Sequence, residues 1–235
     1  MLDTKFWDKY FKVYDVLNIV IPYQELLNKI CNELEIKPKE KILDAGSGTG
    51  NLAILIKRRG GNPVAFDNAK EALKRHKKKD NQAVIVYGDL AEKLPFSDNY
   101  FDKLCSNNVL YTIPKNKRGD VLREFYRVLK PGGKIVISNI HKGFSPFFIY
   151  WNHIKKDFQK RGFLKLIKDI FIMLPDTIKM FYYNAKIKKE HRAGDFDFLE
   201  INEQKDLLKE AGFVNISNNY NVYANQAILN SAYKK

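Results

Sequence analysis

The stretch LDAGSGTGN, residues 43–51, constrains this sequence most, because three glycines follow an apolar run within a few positions. Glycine permits positive φ angles and lets a ligand approach the main chain without a Cβ in the way. The run KILDA before it predicts a buried strand, and NLAILIKRRG after it predicts a helix. This succession predicts a ligand site at the carboxyl end of the first strand of an open α/β sheet.

Strand and helix patterns continue to alternate along the chain. Four further strands are predicted at NPVAFD, AVIVYGD, FDKLCSNNVL and GKIVISNI. Such alternation indicates parallel βαβ units with helices on both faces of the sheet. The helix NEQKDLLKEAG and two strand-like segments, FVNISNN and YANQAILNSAY, follow, and their closeness predicts an antiparallel pair. We expect one domain over residues 1–235, with a helical insert at 142–193 that breaks the alternation.

The spacing around the glycine loop selects among nucleotide ligands. A dinucleotide fingerprint would require glycine where Asn51 stands, and the Gly-Lys-Ser/Thr of a P-loop is absent. Asp44, two residues before Gly46, would repel a pyrophosphate and suits a ligand with a positive end. S-adenosylmethionine has ammonium and sulfonium groups and no phosphate, so this cofactor is predicted.

Acidic residues at the ends of the next two strands support that prediction. Asp67 ends the second strand, where a carboxylate can accept hydrogen bonds from both ribose hydroxyls. Asp89 ends the third strand and is placed to accept from the adenine amino group, with Leu90 beside the ring. A helix cap or a solvated turn would explain one such acid, but three at successive strand ends indicate a nucleoside site.

These motifs together resemble the class I S-adenosylmethionine-dependent methyltransferases. The resemblance is carried by the glycine loop, by Asp67 and by the stretches GDLAEKLPFSDNYFD and REFYRVLKPGGKIVIS. The N-terminal stretch FKVYDVLNIVIPYQELL is similar to the N-terminal helix of the ubiquinone and menaquinone methyltransferases. It implies a seven-stranded Rossmann-like sheet of order 3-2-1-4-5-7-6 with its last strand antiparallel. It also implies methyl transfer to a small-molecule or lipid-like acceptor. After the fourth strand, SNNVLYTI stands where the quinone subgroup carries an arginine–asparagine signature.

The resemblance also implies roles for individual residues. Asp44, Gly46, Gly48 and Gly50 would hold the methionine part of the cofactor and form the loop. Asp67 would bind ribose, Asp89 and Leu90 would bind adenine, and Asn107 would meet the methionine end from the fourth strand. Tyr14 would close over the cofactor from the N-terminal helix.

Methyl transfer requires alignment of the nucleophile with the methyl group and needs a base only when the nucleophile must lose a proton. Tyr111 after the fourth strand and His141 after the fifth are the candidate catalytic residues. A histidine titrates near neutral pH and could serve as a base. A solvated loop histidine and a pocket-shaping tyrosine are the alternatives. His76 and His153 lie in basic helical stretches and are predicted at the surface.

The net charge of +14 is concentrated in the predicted insert, where residues 142–192 hold twelve Lys or Arg and four Asp or Glu. We expect the insert to form a helical lid, whose basic face is either solvated or in contact with anionic membrane lipid. Nucleic acid is a less favoured partner, because NNVL replaces the N/D-P-P-Y/F tetrapeptide after the fourth strand. An RNA methyltransferase and a cofactor-binding scaffold without chemistry remain as alternatives.

The cysteines and the N-terminal stretch bear on the cellular compartment. Cys31 and Cys105 lack CxxC spacing, which favours buried reduced thiols over a disulfide or a metal site. The N-terminal stretch MLDTKFWDKYFKVYD has no uninterrupted apolar core, so we do not expect it to act as a signal peptide. We therefore expect a cytoplasmic protein, with contact at the membrane periphery as a further expectation.

Overall fold

A computed structural model describes residues 4–192 and 197–235 of the chain. Its strands form a seven-stranded sheet in the order β3-β2-β1-β4-β5-β7-β6, in which β7 runs antiparallel to β5 and to β6. The strands are β1 (Lys41–Ala45), β2 (Asn62–Asp67), β3 (Val84–Tyr87), β4 (Phe101–Asn107), β5 (Leu129–Ile140), β6 (Tyr220–Val222) and β7 (Ala227–Tyr233). The predicted fold class is confirmed.

The helices connect and cover these strands. They are α1 (Thr4–Tyr14), α2 (Ile21–Leu34), α3 (Asn51–Arg58), α4 (Lys70–Lys79), α5 (Arg118–Val128), α6 (Pro146–Arg161), α7 (Phe163–Arg192) and α8 (Glu203–Glu210). Short 3-10 turns lie at Asp15–Ile19, Leu110–Thr112 and Lys115–Lys117. The predicted insert thus contains α6 and α7, and its last residue, Ala193, lies outside the described residues.

Burial along the strands follows their place in the sheet. In the central strand β1, Ile42 and Leu43 are completely buried, because β2 and β4 flank the strand and helices cover both faces. The edge strand β3 pairs on one side with β2, and its Val84 and Tyr87 are exposed. The central strands therefore hold their carboxyl ends in fixed positions, which is what a ligand site requires.

The N-terminal helix and the helices after β5 pack on one another. α1 contacts α4 and α7, while α6 contacts α2 and α7. Aromatic rings make the contact between α1 and α7, with Phe6 and Tyr10 at centroid distances of 5.5 and 5.9 Å from Tyr183. The N-terminal segment and the insert are therefore joined over the end of the sheet where the glycine loop lies.

Two predicted boundaries are wrong. FVNISNN is not a strand; β6 follows it at Tyr220–Val222, and the earlier segment makes an isolated bridge between Val214 and Tyr233. Asn215 has a positive φ of 51°, which breaks the extended backbone there. The strand predicted from Gly133 begins earlier, at Leu129, because that residue already pairs with Phe101 of β4.

Candidate active site

A cavity of about 480 Å³ lies at the carboxyl ends of β1, β2, β4 and β5. Helices α1, α6 and α7 contribute its other walls, through Tyr14, Ile149 and Met180 among others. Nine residues predicted for the site line it, namely Tyr14, Asp44, Gly46, Gly48, Asp67, Asp89, Leu90, Asn107 and Tyr111. The lining does not include Gly50 or His141.

The glycine loop is packed so closely that side chains would not fit. A Cβ on Gly46 would lie 2.2 Å from Cγ2 of Val109, and one on Gly48 would lie 2.9 Å from Cε1 of Phe11. Both glycines also have positive φ angles, of 78° and 52°. The loop therefore presents bare main chain to the cavity, as a closely bound cofactor requires.

Gly50 packs against a buried histidine and does not line the cavity. A Cβ on this residue would lie 2.2 Å from Cδ2 of His76, a side chain that is 2% exposed. Burial lowers the pKa of His76 to about 4, so the imidazole is neutral. His153 is also buried, and its Nδ1 accepts a hydrogen bond from the main-chain N–H of Ile21 at 3.3 Å. The surface prediction for these two histidines is wrong.

Asp67 is oriented by main-chain groups of its own neighbourhood. Its Oδ2 accepts from the N–H of Gly48 at 2.7 Å, and its Oδ1 accepts from the N–H of Ala69 at 2.8 Å. Burial raises the pKa of Asp67, and these two hydrogen bonds oppose that rise. Each oxygen keeps a lone pair for a further donor, which suits a pair of ribose hydroxyls.

Asp44 and Asn107 present unsatisfied oxygen atoms to the same cavity. Oδ2 of Asp44 and Oδ1 of Asn107 are buried and have no hydrogen-bond partner among the described residues. Burial, with the nearby Asp67 carboxylate, raises the pKa of Asp44 to about 7. Buried acceptors without partners are costly, so they indicate donors on a bound molecule. The ammonium group of S-adenosylmethionine is such a donor, and the residues present fit this cofactor.

Asp89 lies at the mouth of the cavity and Leu90 lies deeper. The Asp89 carboxylate is exposed and accepts from the N–H of Ala91 at 2.8 Å and from the Asn68 amide at 3.3 Å. Leu90 is buried. A fixed carboxylate beside an apolar side chain matches the polar edge and the apolar face of a purine.

The two candidate catalytic residues differ in position. Tyr111 is buried in the cavity wall, and burial raises its pKa, so its hydroxyl stays protonated. The ring nitrogens of His141 face the carbonyl oxygens of Lys142 at 2.8 Å and Asn225 at 3.1 Å. A proton-transfer role for either residue stays a prediction, and only Tyr111 meets the cavity.

A network of buried amides fixes the loop after β4, which carries Val109 and Tyr111. Oδ1 of Asn139 accepts from the N–H groups of Val109 and Leu110 at 3.1 and 2.9 Å. Its Nδ2 donates to Oε1 of Gln204 at 2.8 Å. Sequence reasoning missed these amides, because they come from β5 and α8 and meet only in the folded chain.

Sequence reasoning also missed three tyrosines of the cavity. Tyr10, Tyr23 and Tyr223 line it from α1, α2 and the turn between β6 and β7, and Tyr150, from the predicted lid, joins them from α6. The aromatic N-terminus could have indicated Tyr10. Nothing in the sequence singles out Tyr223, which follows the short strand β6 with a positive φ of 55°.

Comparisons with known proteins agree with this geometry. A family model described as a methyltransferase domain matches residues 43–137. A demethylmenaquinone methyltransferase of Staphylococcus saprophyticus is 31% identical over 86% of this chain and 84% of its own length. A malonyl-[acyl-carrier protein] O-methyltransferase of Buchnera aphidicola is 30% identical over 82% of this chain and 74% of its own. The solved structure of an S-adenosylmethionine-dependent methyltransferase from Aquifex aeolicus has a TM-score of 0.64 at 16% identity, with both chains fully covered.

Proposed function

Because this chain belongs to the class I S-adenosylmethionine-dependent methyltransferases, we propose that it methylates a small-molecule or lipid-like acceptor bound beside Tyr111. S-adenosylmethionine is its cofactor and supplies a methyl group on a positively charged sulfur. The observation that carries the proposal is the shape of the cavity, which extends past the strand-end acids. This extension is bounded by Ile113, Phe144, Ile149 and Met180, side chains suited to an apolar acceptor.

The residues at the strand ends would hold the cofactor. The free oxygens of Asp44 and Asn107 would accept from its ammonium group, and Asp67 would accept from the ribose hydroxyls. Asp89 and Leu90 would bind the adenine, and Tyr14 would cover the cofactor from α1. With both partners held, the chain needs to align them and exclude water, effects worth up to roughly 7–11 kcal/mol in model reactions.

Helices α6 and α7 would act as the lid of this site. They supply Tyr150, Met180 and Asn184 to the cavity, and α7 packs on α1, which carries Tyr14. An acceptor bound beside Tyr111 would therefore lie between these helices and the strand ends.

The outer surface of α6 and α7 supports contact with a membrane. Large apolar side chains are exposed along both helices, at Phe147, Phe148, Trp151, Phe158, Phe171, Ile172, Leu174, Ile178 and Tyr182. Lys155 and Lys160 on α6 and Lys186 and Lys189 on α7 are exposed as well. Apolar side chains among basic residues fit the interface of an anionic bilayer. Within the described residues, no helix is long and apolar enough to cross a membrane.

The transfer is tested by incubating the protein with cofactor labelled on the methyl group, together with lipid, small-molecule or RNA fractions of cells. We expect label in an organic extract or a small-molecule fraction, and less label with Asp67→Ala when the cofactor is limiting. Label confined to RNA would show that the acceptor is RNA and not a small molecule or a lipid. Absence of label from every fraction, although the cofactor binds, would favour a scaffold without chemistry.

The membrane contact is tested by sedimentation with vesicles of phosphatidylcholine alone or with phosphatidylserine. We expect binding to the anionic vesicles and its loss when Phe148 and Trp151 are changed to Ser. Val84→Ser on the edge strand β3 removes an equally exposed apolar side chain and is the matched control. Lys155→Glu with Lys160→Glu should weaken binding too, since each charge contributes about 1 kcal/mol near the surface. Equal sedimentation of all variants would contradict this part of the proposal.

A further inference from the structure

Six tyrosines line the cavity together with the cofactor residues. We call Tyr10, Tyr14, Tyr23, Tyr111, Tyr150 and Tyr223 the tyrosine cluster. Neighbouring rings touch, with centroid distances of 5.5 Å for Tyr10 and Tyr14, 6.0 Å for Tyr14 and Tyr23, and 6.1 Å for Tyr23 and Tyr223. Elements distant in sequence thus bring phenol groups to one place.

Several of these hydroxyls have no hydrogen-bond partner among the described residues. Tyr10, Tyr111 and Tyr223 are 6–8% exposed, and no described residue forms a hydrogen bond with their hydroxyls. These three hydroxyl oxygens are not among the fully buried atoms, so they remain accessible from the cavity that their residues line. They are therefore available to a polar group on the molecule that occupies the cavity.

The charged residues around the cavity indicate which charge the polar group of the bound molecule carries. Among the described lining residues there is no Lys, Arg, His or Glu, although the chain carries a net charge of +14. The charged side chains of the lining are Asp44, Asp67 and Asp89. An anionic acceptor would therefore find no positively charged side chain among these residues.

Among the described lining residues, the carboxylates of Asp44, Asp67 and Asp89 could take up a proton, but the proposed function assigns them to the cofactor, and the tyrosines are the titratable groups left for the acceptor. Burial raises the pKa values of Tyr10, Tyr111 and Tyr223 above the ordinary value for tyrosine, so these phenols stay protonated. His141 lies outside the lining. A nucleophile that reacts from its neutral form, without help from a base, fits these surroundings.

We propose that the tyrosine cluster binds the amino or ammonium group of an organic amine, and that this nitrogen accepts the methyl group. The proposal rests on the proposed function and names its acceptor class. Aromatic faces attract a cation, and phenol oxygens accept N–H hydrogen bonds. An amine bound as ammonium first releases one proton to water, which restores the nitrogen lone pair. In the transfer, this lone pair forms the new N–C bond while the electron pair of the breaking S–C bond stays on sulfur. The positive charge moves to nitrogen, and a primary or secondary amine then loses its extra proton to water.

The test compares two ligands of equal shape that differ in charge. Choline and 3,3-dimethylbutan-1-ol are titrated calorimetrically into the protein saturated with S-adenosylhomocysteine, so that the cofactor residues are already occupied. We expect the wild-type protein to bind choline about tenfold more tightly, a preference that one desolvated cation–π contact can supply. Tyr111→Leu should reduce this preference, and Tyr111→Phe, which keeps the ring, should retain most of it.

A matched control and a second readout separate the possible failures. Tyr126→Leu removes a tyrosine outside the cavity, where it packs on Phe213, and should leave the preference unchanged. Equal affinity for the two ligands, or a preference for the alcohol, would overturn the amine proposal even if Tyr111→Leu fails to fold. The protein is saturated with S-adenosylhomocysteine before the two ligands are added. Failure of S-adenosylhomocysteine to bind in that step would instead overturn the proposed function.

Discussion

Gly48 donates its main-chain N–H to Oδ2 of Asp67 at 2.7 Å, so the glycine loop after β1 and the acid that ends β2 hold each other in place. The N–H of Ala69 fixes the other carboxylate oxygen at 2.8 Å. The carboxylate is thus oriented before any ligand arrives, and a bound ribose would not have to immobilise it. Such preorganisation reduces the entropy cost of binding.

The first prediction concerns the Asp67 carboxylate. Asp67→Ala should weaken binding of S-adenosylmethionine by roughly 1–3 kcal/mol, because the hydrogen bonds to ribose and the support of Gly48 are both lost. Calorimetry with S-adenosylhomocysteine measures the change. Asp98→Ala, which removes an exposed carboxylate paired with Arg127 outside the cavity, is the control and should bind as the wild type does. Unchanged affinity in Asp67→Ala would remove this residue from the cofactor site.

The second prediction concerns the effect of Asp44 on stability. Its folded pKa is about 7 against an ordinary value of 3.8, so the folded state holds this proton more tightly than the unfolded chain does. Its contribution therefore destabilises the fold increasingly as pH rises between these two values, by at most about 4 kcal/mol. Without cofactor, Asp44→Asn should have the higher Tm at about pH 8, and the difference should shrink toward about pH 5. Thermal melts across this range measure it, and a lower Tm for the variant at the alkaline end would contradict it.

The same titration gives a third prediction, which links Asp44 to the cofactor. A ligand ammonium near Asp44 should lower the raised pKa of this carboxyl, so binding near about pH 6.5 should release a proton. The apparent binding enthalpy should then depend on the ionisation enthalpy of the buffer. Titrations in phosphate and in Tris measure this dependence, and Asp44→Asn should lose most of it. An enthalpy independent of buffer in the wild type would mean that the ammonium binds elsewhere.

The sequence predicts the sheet and the acids of this site because both depend on local patterns. Alternating strands and helices determine the topology, and residues at the ends of parallel strands meet at one edge. Asp44, Asp67 and Asp89 could therefore be placed together before the structure was known. Their spacing along the chain was sufficient evidence.

The acceptor side of the cavity depends on tertiary contacts and was not predictable in this way. Tyr10, Tyr150 and Tyr223 come from widely separated segments and meet only when α1, α6 and the β6–β7 turn are packed. His76 was predicted at the surface because Lys77, Lys78 and Lys79 follow it in the sequence. Gly50 has no side chain and so leaves space for the imidazole ring of His76. The pattern of charges in the sequence does not reveal this packing.

The fourth prediction concerns this pair. Gly50→Ala should destabilise the protein by roughly 1–3 kcal/mol, because the methyl group overlaps the His76 ring and the backbone at this position has a positive φ of 79°. In the double variant with His76→Ala, the overlap disappears and part of the loss should be recovered. Urea unfolding of the four proteins gives the coupling energy. Additive losses would show that backbone strain, and not the histidine, requires glycine here.

The last prediction concerns Arg118, a completely buried side chain that joins the loop after β4 to α8. Its Nε donates to the carbonyl oxygens of Leu110 and Ile113 at 3.0 and 3.2 Å, and its Nη1 meets Glu203 at 2.8 Å. Arg118→Ala would leave the Glu203 carboxylate and both carbonyls without this donor, so we expect a loss of about 3–5 kcal/mol in the free energy of unfolding.

A nearby arginine provides the control for Arg118. Arg123, on the same helix α5, pairs with Asp120 at the surface, and Arg123→Ala should cost no more than about 1 kcal/mol. Urea unfolding compares the two variants. Because Leu110 precedes Tyr111, the Arg118 variant should also bind choline less tightly at temperatures where it remains folded. Equal stability losses in the two variants would show that Arg118 does not fix the loop that carries Tyr111.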